Sequence, residues 1–177
     1  ASMVSSSSGL GLVNTALLLD IVYDDGWFDE NISRLFVIST YLGGLGHGLL
    51  MKNYVDGKSY TEDDASFVKG SSFVGWYNFV NFMMYTEIEN PVLSKTLLLA
   101  GINGFQYMAN SLNEEYDLKK GQSGIIALGT GASILFWNGI FIFIGGDPDS
   151  KIYFAGNIAS VTAGWYFTHR MVIKSAN

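Results

Sequence analysis

The chain contains no cysteine, and it has little charge and little proline. With no cysteine among its 177 residues, disulfide bonds and cysteine-ligated zinc or iron–sulfur sites are excluded. A net charge of −6, with no basic run longer than Lys119-Lys120, argues against a nucleic-acid partner. Nucleophile-elbow, zinc-protease and phosphate-loop motifs are also missing, so we expect that the protein is not an enzyme.

Apolar residues dominate what is present. They make up 49% of the chain, and 12 Phe, 10 Tyr and 4 Trp exclude a disordered chain, since such chains are poor in aromatic residues. Charged residues make up 15%, against about 25% in ordinary soluble domains. A charge-poor chain rich in glycine and aromatic residues points towards a membrane.

The charged residues are clustered, and the gaps between clusters predict helices. The longest gap runs from Gly121 to Gly146 and has SILFWNGIFIFI at its centre. About 20 apolar residues in a helix cross a hydrocarbon layer of about 30 Å, which this segment achieves. Five shorter gaps cover residues 1–19, 35–51, 70–86, 96–113 and 152–169. Strands are not expected, because no segment shows sustained alternation of apolar and polar residues.

These gaps predict an all-α fold, a polytopic transmembrane helix bundle that forms one domain over residues 1–177. The approximate spans are 9–23, 33–51, 70–86, 92–113, 122–146 and 152–169. The first span contains Asp20 and the third contains Asn78 and Asn81, so the count is about six, with four to six possible. Asp20 is a candidate functional acid if it lies within the membrane, and otherwise a residue at the membrane interface.

Lysine and arginine sort to one side of the six-span arrangement. The side with both termini carries seven of them (Lys52, Lys58, Lys69, Lys119, Lys120, Arg170 and Lys174), and the other side carries three (Arg34, Lys95 and Lys151). Basic residues are retained on the side from which insertion occurs. Both termini are therefore expected on the positive-inside face.

His47 is flanked by glycines in the string GGLGHG. On a helix, Gly43 and Gly44 lie on the same face as His47, which leaves bare backbone beside an imidazole. Such a surface predicts an axial ligand for haem or for the magnesium of chlorophyll, with carotenoid as a companion pigment. The alternative is that Gly44 and Gly48 form a close helix-packing surface.

His169 is the other histidine, beside Arg170 near the end of the sixth span. In the six-span arrangement it lies at a depth similar to that of His47, so a cofactor shared by the two is allowed. The alternative is an interfacial residue that anchors the helix end, as basic and aromatic side chains do.

A polar stripe follows one face of the fourth span, because its amides recur at helical spacing. Its members are Asn103, Gln106, Asn110 and Asn113. Three uses remain open: hydrogen bonds between helices, an aqueous path for a small solute, and ligation of pigment magnesium. In the last span, Gly156, Ser160 and Gly164 form a small-residue stripe that predicts helix packing.

Two functions in the membrane, and one outside it, follow from these features. The first is an accessory or structural subunit of a larger energy-transducing complex, photosynthetic or respiratory, that contacts lipid and other membrane subunits and binds pigment, haem or lipid. Its acidic loops favour an organellar (thylakoid) membrane over the plasma membrane. The second is a small homo-oligomeric channel for a neutral solute with an amide-lined path. The third is a water-soluble helical domain with one buried hairpin.

Overall fold

The computed structural model describes residues 2–23, 30–56 and 60–175, and all the regular secondary structure in these ranges is helical. The helices are α1 (Ser2–Tyr23), α2 (Glu30–Val55), α3 (Glu62–Thr86), α4 (Pro91–Glu115), α5 (Gln122–Phe143) and α6 (Lys151–Lys174). Each corresponds to one charge-poor gap, so the prediction of an all-α protein is confirmed. Lys58, one of the basic residues used to orient the spans, lies outside the described residues.

The charged and polar clusters between the gaps supply the signals that start the helices. Thr61 caps α3, accepting a hydrogen bond from the backbone N–H of Asp64 while the Asp64 carboxylate accepts from that of Thr61. The Asn90 side chain caps α4 ahead of Pro91, and the Ser150 side chain caps α6. These side chains satisfy backbone N–H groups that have no partner within their own helix.

Consecutive helices pack as three pairs, α1 with α2, α3 with α4, and α5 with α6. α3 is central, since it also packs against α6, α5 and α1. α1 connects the first pair to the rest through α3 and α4, while α2 packs chiefly against α1.

The described interior contains polar as well as apolar side chains, and large apolar side chains also lie on the outside of the bundle. The interior includes eleven buried polar or charged residues: Ser7, Asp64, Ser71, Ser72, Asn78, Asn81, Gln106, Asn113, Thr130, Asn157 and His169. Large apolar side chains face outwards on α2 and α5, where Leu50, Leu128 and Leu135 are each at least 70% exposed.

By length and apolar composition alone, two helices within the described ranges are candidates for crossing a membrane. They are Met3–Val22 in α1 and Gln122–Phe143 in α5. The structure therefore establishes six helices, and the candidate spans among them number two.

Candidate functional site

A pocket of about 440 Å³ lies between α1, α2 and α4, and two predicted site residues line it. His47 comes from α2 and Asn103 from α4, so the structure brings these two together. The remaining wall is formed by Gly11, Asn14, Thr15, Leu18, Leu99 and Ala100.

A serine on α1 positions the His47 ring. The Oγ atom of Ser7 lies 2.7 Å from His47 Nδ1, and Ser7 itself is 1% exposed. The same hydroxyl lies 3.4 Å from the His47 carbonyl oxygen, which is a much weaker contact. Nδ1 is therefore held by the hydroxyl, while no hydrogen bond from another described residue engages Nε2.

Two asparagines form a reciprocal amide pair in the pocket wall. Asn14 Nδ2 donates to Asn103 Oδ1 at 2.8 Å, and Asn103 Nδ2 donates to Asn14 Oδ1 at 3.1 Å. Asn103 Nδ2 also donates to the Leu99 carbonyl at 2.7 Å. Both N–H groups of Asn103 are thus engaged, whereas Asn14 keeps one N–H without a protein acceptor among the described residues.

The glycine face beside His47 is covered by α1. A side chain at Gly44 would meet Leu12 and the Ser8 carbonyl, and one at Gly48 would meet the Ser8 side chain. Gly44 and Gly48 thus lie in a close helix contact. The bare surface that the sequence predicts for the flat face of a macrocycle is occupied by another helix in this structure.

His169 packs against α3 and does not line the pocket of His47. His169 is 1% exposed and stacks on Phe67 of α3, with ring centroids 4.8 Å apart. Neither of its ring nitrogens has a hydrogen-bond partner among the described residues. The ring is therefore packed inside the bundle against α3, and its position near a membrane interface stays a prediction. No described contact links His169 to the pocket of His47.

Phe67 also stacks on Trp165, whose indole N–H donates to Ser71 Oγ at 2.8 Å. Phe67, Ser71 and Trp165 line a second cavity of about 320 Å³, which lies between α3, α5 and α6. The His169 ring lies on the Phe67 ring without lining this cavity.

The amide stripe of α4 divides between two neighbours. Asn103 faces α1, whereas Asn113 Nδ2 donates to the Asp64 carbonyl of α3 at 3.2 Å. Gln106 is buried, and the Oδ1 atoms of Asn110 and Asn113 are buried without a partner among the described residues. The stripe therefore faces the interior of the bundle, towards α1 and α3.

A second polar network joins α3, α5 and α6. Tyr77 donates to Asn157 Oδ1 at 2.9 Å, and Asn138 Nδ2 donates to the same oxygen at 3.1 Å. The Tyr153 hydroxyl donates to Asn138 Oδ1. The sequence does not indicate the two tyrosines as members of a network, since a tyrosine in an apolar run is equally typical of a membrane interface.

Asp20, the candidate functional acid of the first span, forms an ion pair. Lys95 at the start of α4 lies with its Nζ 2.8 Å from Asp20 Oδ2, and both side chains are about a quarter to a third exposed. The carboxylate therefore has a partner that neutralises it, and this pair fastens the end of α1 to the beginning of α4.

Gly156 and Gly164 lie in the contact between α6 and α5. A side chain at Gly156 would meet Trp137, and one at Gly164 would meet Ser133. Ser160 Oγ donates to the Asn157 carbonyl on its own helix at 3.1 Å. The two glycines thus permit the close approach of α5 and α6.

The loop between α4 and α5 is fastened to the beginning of α3 by two adjacent carboxylates. Asp64 is fully buried, and its Oδ1 accepts from the Leu118 N–H at 2.9 Å. Asp63 Oδ1 accepts from the Ser123 hydroxyl at 2.6 Å and from the Gly121 N–H at 3.1 Å.

Hydrogen bonds outweigh burial at Asp63. Burial raises the pKa of its carboxyl, but the Ser123 hydrogen bonds, the Gly121 N–H and the charge of Lys120 lower it, and the net pKa lies below the ordinary 3.8.

Within the described ranges, no three histidine, aspartate or glutamate side chains come together in a way that could hold a metal ion. No protein-family model, curated protein or solved structure matches the chain. Function must therefore be inferred from the geometry.

Proposed function

We propose that this chain is an integral membrane protein whose six helices cross the bilayer, and that it serves as an accessory or structural subunit of a membrane complex. The observation that carries this proposal is that polar side chains are fully buried while large apolar side chains face outwards. Asn157 and His169 are each 1% exposed, whereas Leu128 and Leu135 are more than 70% exposed.

Such a surface is unfavourable in water. Monomeric soluble proteins seldom expose large contiguous apolar patches, because the hydrophobic effect drives such surface into the core. In a bilayer, the surrounding lipid is as apolar as leucine, so helices associate through small residues and polar contacts instead. The buried amides and the glycine contacts between α1 and α2 are of this kind.

α5 supports the proposal because it is not buried as the core helix of a soluble protein would be. A long apolar helix in a soluble protein is a core helix, and a core helix is mostly buried. The most apolar window of Gln122–Phe143 is 17% buried. Its outward positions include Leu128, Leu135 and Phe136.

The ion pairs fit the direction in which the helices would cross. Asp20 at the end of α1 pairs with Lys95 near the start of α4. Glu87 at the end of α3 pairs with Lys151 at the start of α6, 3.1 Å apart. All four ends lie on the same side of a six-span bundle, the side opposite the termini, where charged groups can remain in contact with water.

A subunit role is favoured because several polar side chains bond one helix to another, among them Asn14, Asn78 and Asn113. α2, in contrast, presents a row of outward apolar side chains to lipid or to another subunit: Val37, Ile38, Tyr41, Leu42, Leu45, Leu49 and Leu50. That the complex is photosynthetic or respiratory stays a prediction from composition. An amide-lined channel receives less support, since Asn103 and Asn113 are engaged in bonds to neighbouring helices.

Charge insertion at Leu135 tests the membrane location. Leu135 is 74% exposed in the middle of α5, so a lysine there would be tolerated in water. In a bilayer it would cost about 2.5–3.5 kcal/mol at the centre of a helix. We expect Leu135→Lys to reduce the amount of membrane-integrated protein, whereas Glu89→Lys, in the loop before α4, leaves it unchanged.

The readout is the fraction of protein that stays in the membrane pellet after alkaline carbonate extraction. Release of the unmodified protein into the supernatant, together with normal yield and helicity of Leu135→Lys, would show that the chain is a water-soluble bundle.

A further inference from the structure

We propose that the pocket between α1, α2 and α4 binds the head ring of a lipid-soluble quinone, with His47 and Asn14 donating hydrogen bonds to its carbonyl oxygens. This inference rests on the proposed membrane location, because the ligand would reach the pocket from the bilayer. It names a ligand class for a site that the subunit role leaves unassigned.

The first donor is His47 Nε2. Ser7 Oγ lies 2.7 Å from Nδ1, a contact that either tautomer of the imidazole can make; in the tautomer that we propose for the site, the hydroxyl donates to Nδ1 and the single proton lies on Nε2. Because Ser7 is buried, the hydroxyl also fixes the orientation of the ring. Nε2 is then an N–H donor with no acceptor among the described residues of the protein.

The second donor is the remaining N–H of Asn14. Its other N–H is engaged by Asn103, which in turn is held by the Leu99 carbonyl. The amide pair thus presents one unengaged donor on a rigid support. A ligand that accepts hydrogen bonds at two separate positions satisfies both donors, and a quinone carries two carbonyl oxygens on a flat apolar ring.

The walls and the entrance suit such a ring. Gly11, Leu18, Leu99 and Ala100 contribute apolar surface between the polar groups. Leu18 is 53% exposed and Ala100 is also exposed, so the pocket opens between α1 and α4 towards the surroundings of the bundle. Its volume of about 440 Å³ falls within the range of roughly 300–1,000 Å³ typical of small-molecule sites.

A tetrapyrrole fits the site less well. The glycine face of α2 next to His47 is closed, since a side chain at Gly11 of α1 would lie 3.0 Å from the Gly43 carbonyl oxygen and 3.1 Å from the Gly44 Cα. The Asn14 donor, finally, has no role in holding a ring by its metal.

Titration of the full-length protein in mild detergent with decylubiquinone, followed by equilibrium dialysis, tests this inference. We expect saturable binding that His47→Phe and Asn14→Leu each weaken about tenfold, as the loss of one good hydrogen bond would (about 1.4 kcal/mol). Ser7→Ala should weaken binding less, because it frees the ring without removing its donor. Gly46→Ala is the matched control, since its side chain would meet open space one residue from His47.

Each variant is first checked for helical content by circular dichroism, and Ser7→Ala keeps the test decisive if a pocket variant fails to fold. Non-saturable uptake, or equal affinity in the wild type and both donor variants, would overturn the quinone assignment. A Soret shift with hemin that His47→Phe abolishes, without decylubiquinone binding, would also overturn it in favour of a tetrapyrrole.

Carbonate extraction separates this inference from the proposed function. A chain that stays in the membrane pellet but does not bind decylubiquinone keeps its membrane role and loses the quinone site. A chain that is released into the supernatant loses the membrane role whatever it binds.

Discussion

Two adjacent carboxylates at the beginning of α3 bond different parts of the α4–α5 connection. Asp64 is fully buried and bonds to the Leu118 N–H, so it joins the α4–α5 loop to the helix that it also caps. Asp63 is only partly buried and bonds to the Gly121 and Ser123 N–H groups at the start of α5. The pair sets the position of α5 relative to α3.

Removal of the buried carboxylate should destabilise the fold. We expect Asp64→Ala to lower the free energy of unfolding by roughly 1–3 kcal/mol, because the buried Leu118 N–H loses its acceptor and α3 loses half of its capping box. Thermal unfolding in detergent measures the change. Asp117→Ala, at an exposed position in the same loop, should shift the midpoint little. Equal midpoints for the two variants would contradict the assigned role.

Asp63 should make stability depend on acid pH. Its folded-state pKa lies below 3.8, so its contribution is fully present above the unfolded value and is lost as the pH falls through the lower folded value. We expect the unfolding midpoint of wild type to exceed that of Asp63→Asn at pH 6, and the difference to shrink below pH 3.8. A difference that grows on acidification would reverse the sign and refute this assignment.

At the scale of helices, the α3–α4 pair contains glycines in two different environments, one in close contact with backbone and one beside open space. A side chain at Gly75 of α3 would lie 2.7 Å from the carbonyl carbon of Gly101 and 3.1 Å from the Ile102 nitrogen on α4. These atoms belong to the backbone and cannot turn away. Gly104, on α4, has nothing within 4 Å of the position that its Cβ would take.

Alanine at these two positions should have opposite effects. Gly75→Ala should destabilise the protein by about 1–3 kcal/mol, because it forces α3 and α4 apart. Gly104→Ala should stabilise it by about 0.5–1 kcal/mol through higher helix propensity. Paired thermal melts give the comparison, and destabilisation by both to the same extent would mean that the close contact does not exist.

Helix positions could be predicted from the sequence, whereas helix partners could not. Charge clusters and capping residues mark the ends of each helix locally, and so all six were predictable. The Asn14–Asn103 pair joins residues 89 positions apart, and nothing local to Asn14 indicates that partner. The contact between Ser7 and His47 could not be predicted either, because nothing distinguishes Ser7 from the other serines of its serine-rich stretch.

His169 shows most clearly that contacts between helices could not be predicted from the sequence. Arg170 beside it made a position at the membrane interface the natural prediction. The ring stacks on Phe67, a contact that depends on how α6 and α3 come together and that this prediction did not include. Periodicity reports which face of a helix is polar, but the choice of neighbour is made by packing across the whole bundle.

At the scale of the whole molecule, the proposed six-span arrangement predicts the side of the membrane on which each loop lies. Because the chain has no cysteine, single cysteines can report sidedness without background. In membranes sealed with the positive-inside face enclosed, we expect an impermeant maleimide to label Asp149→Cys at once. Lys119→Cys and Ser175→Cys should react only after permeabilisation. Immediate labelling of Asp149→Cys and Lys119→Cys together would exclude a crossing by α5.

The first helical pair contacts the rest of the bundle at α3 and α4, and the pocket of His47 lies in this interface, with α1 and α2 on one side and α4 on the other. A molecule bound there would contact α1 and α2 as well as α4, and would therefore hold the first helical pair against the rest of the bundle. By mass action, an occupant that binds only when the first pair is packed against α3 and α4 stabilises that packed state, and it does so more strongly at higher concentration. The chain could be divided between α2 and α3 and the two fragments produced together. The fraction of fragments that reassemble would then rise with the concentration of that molecule in the membrane.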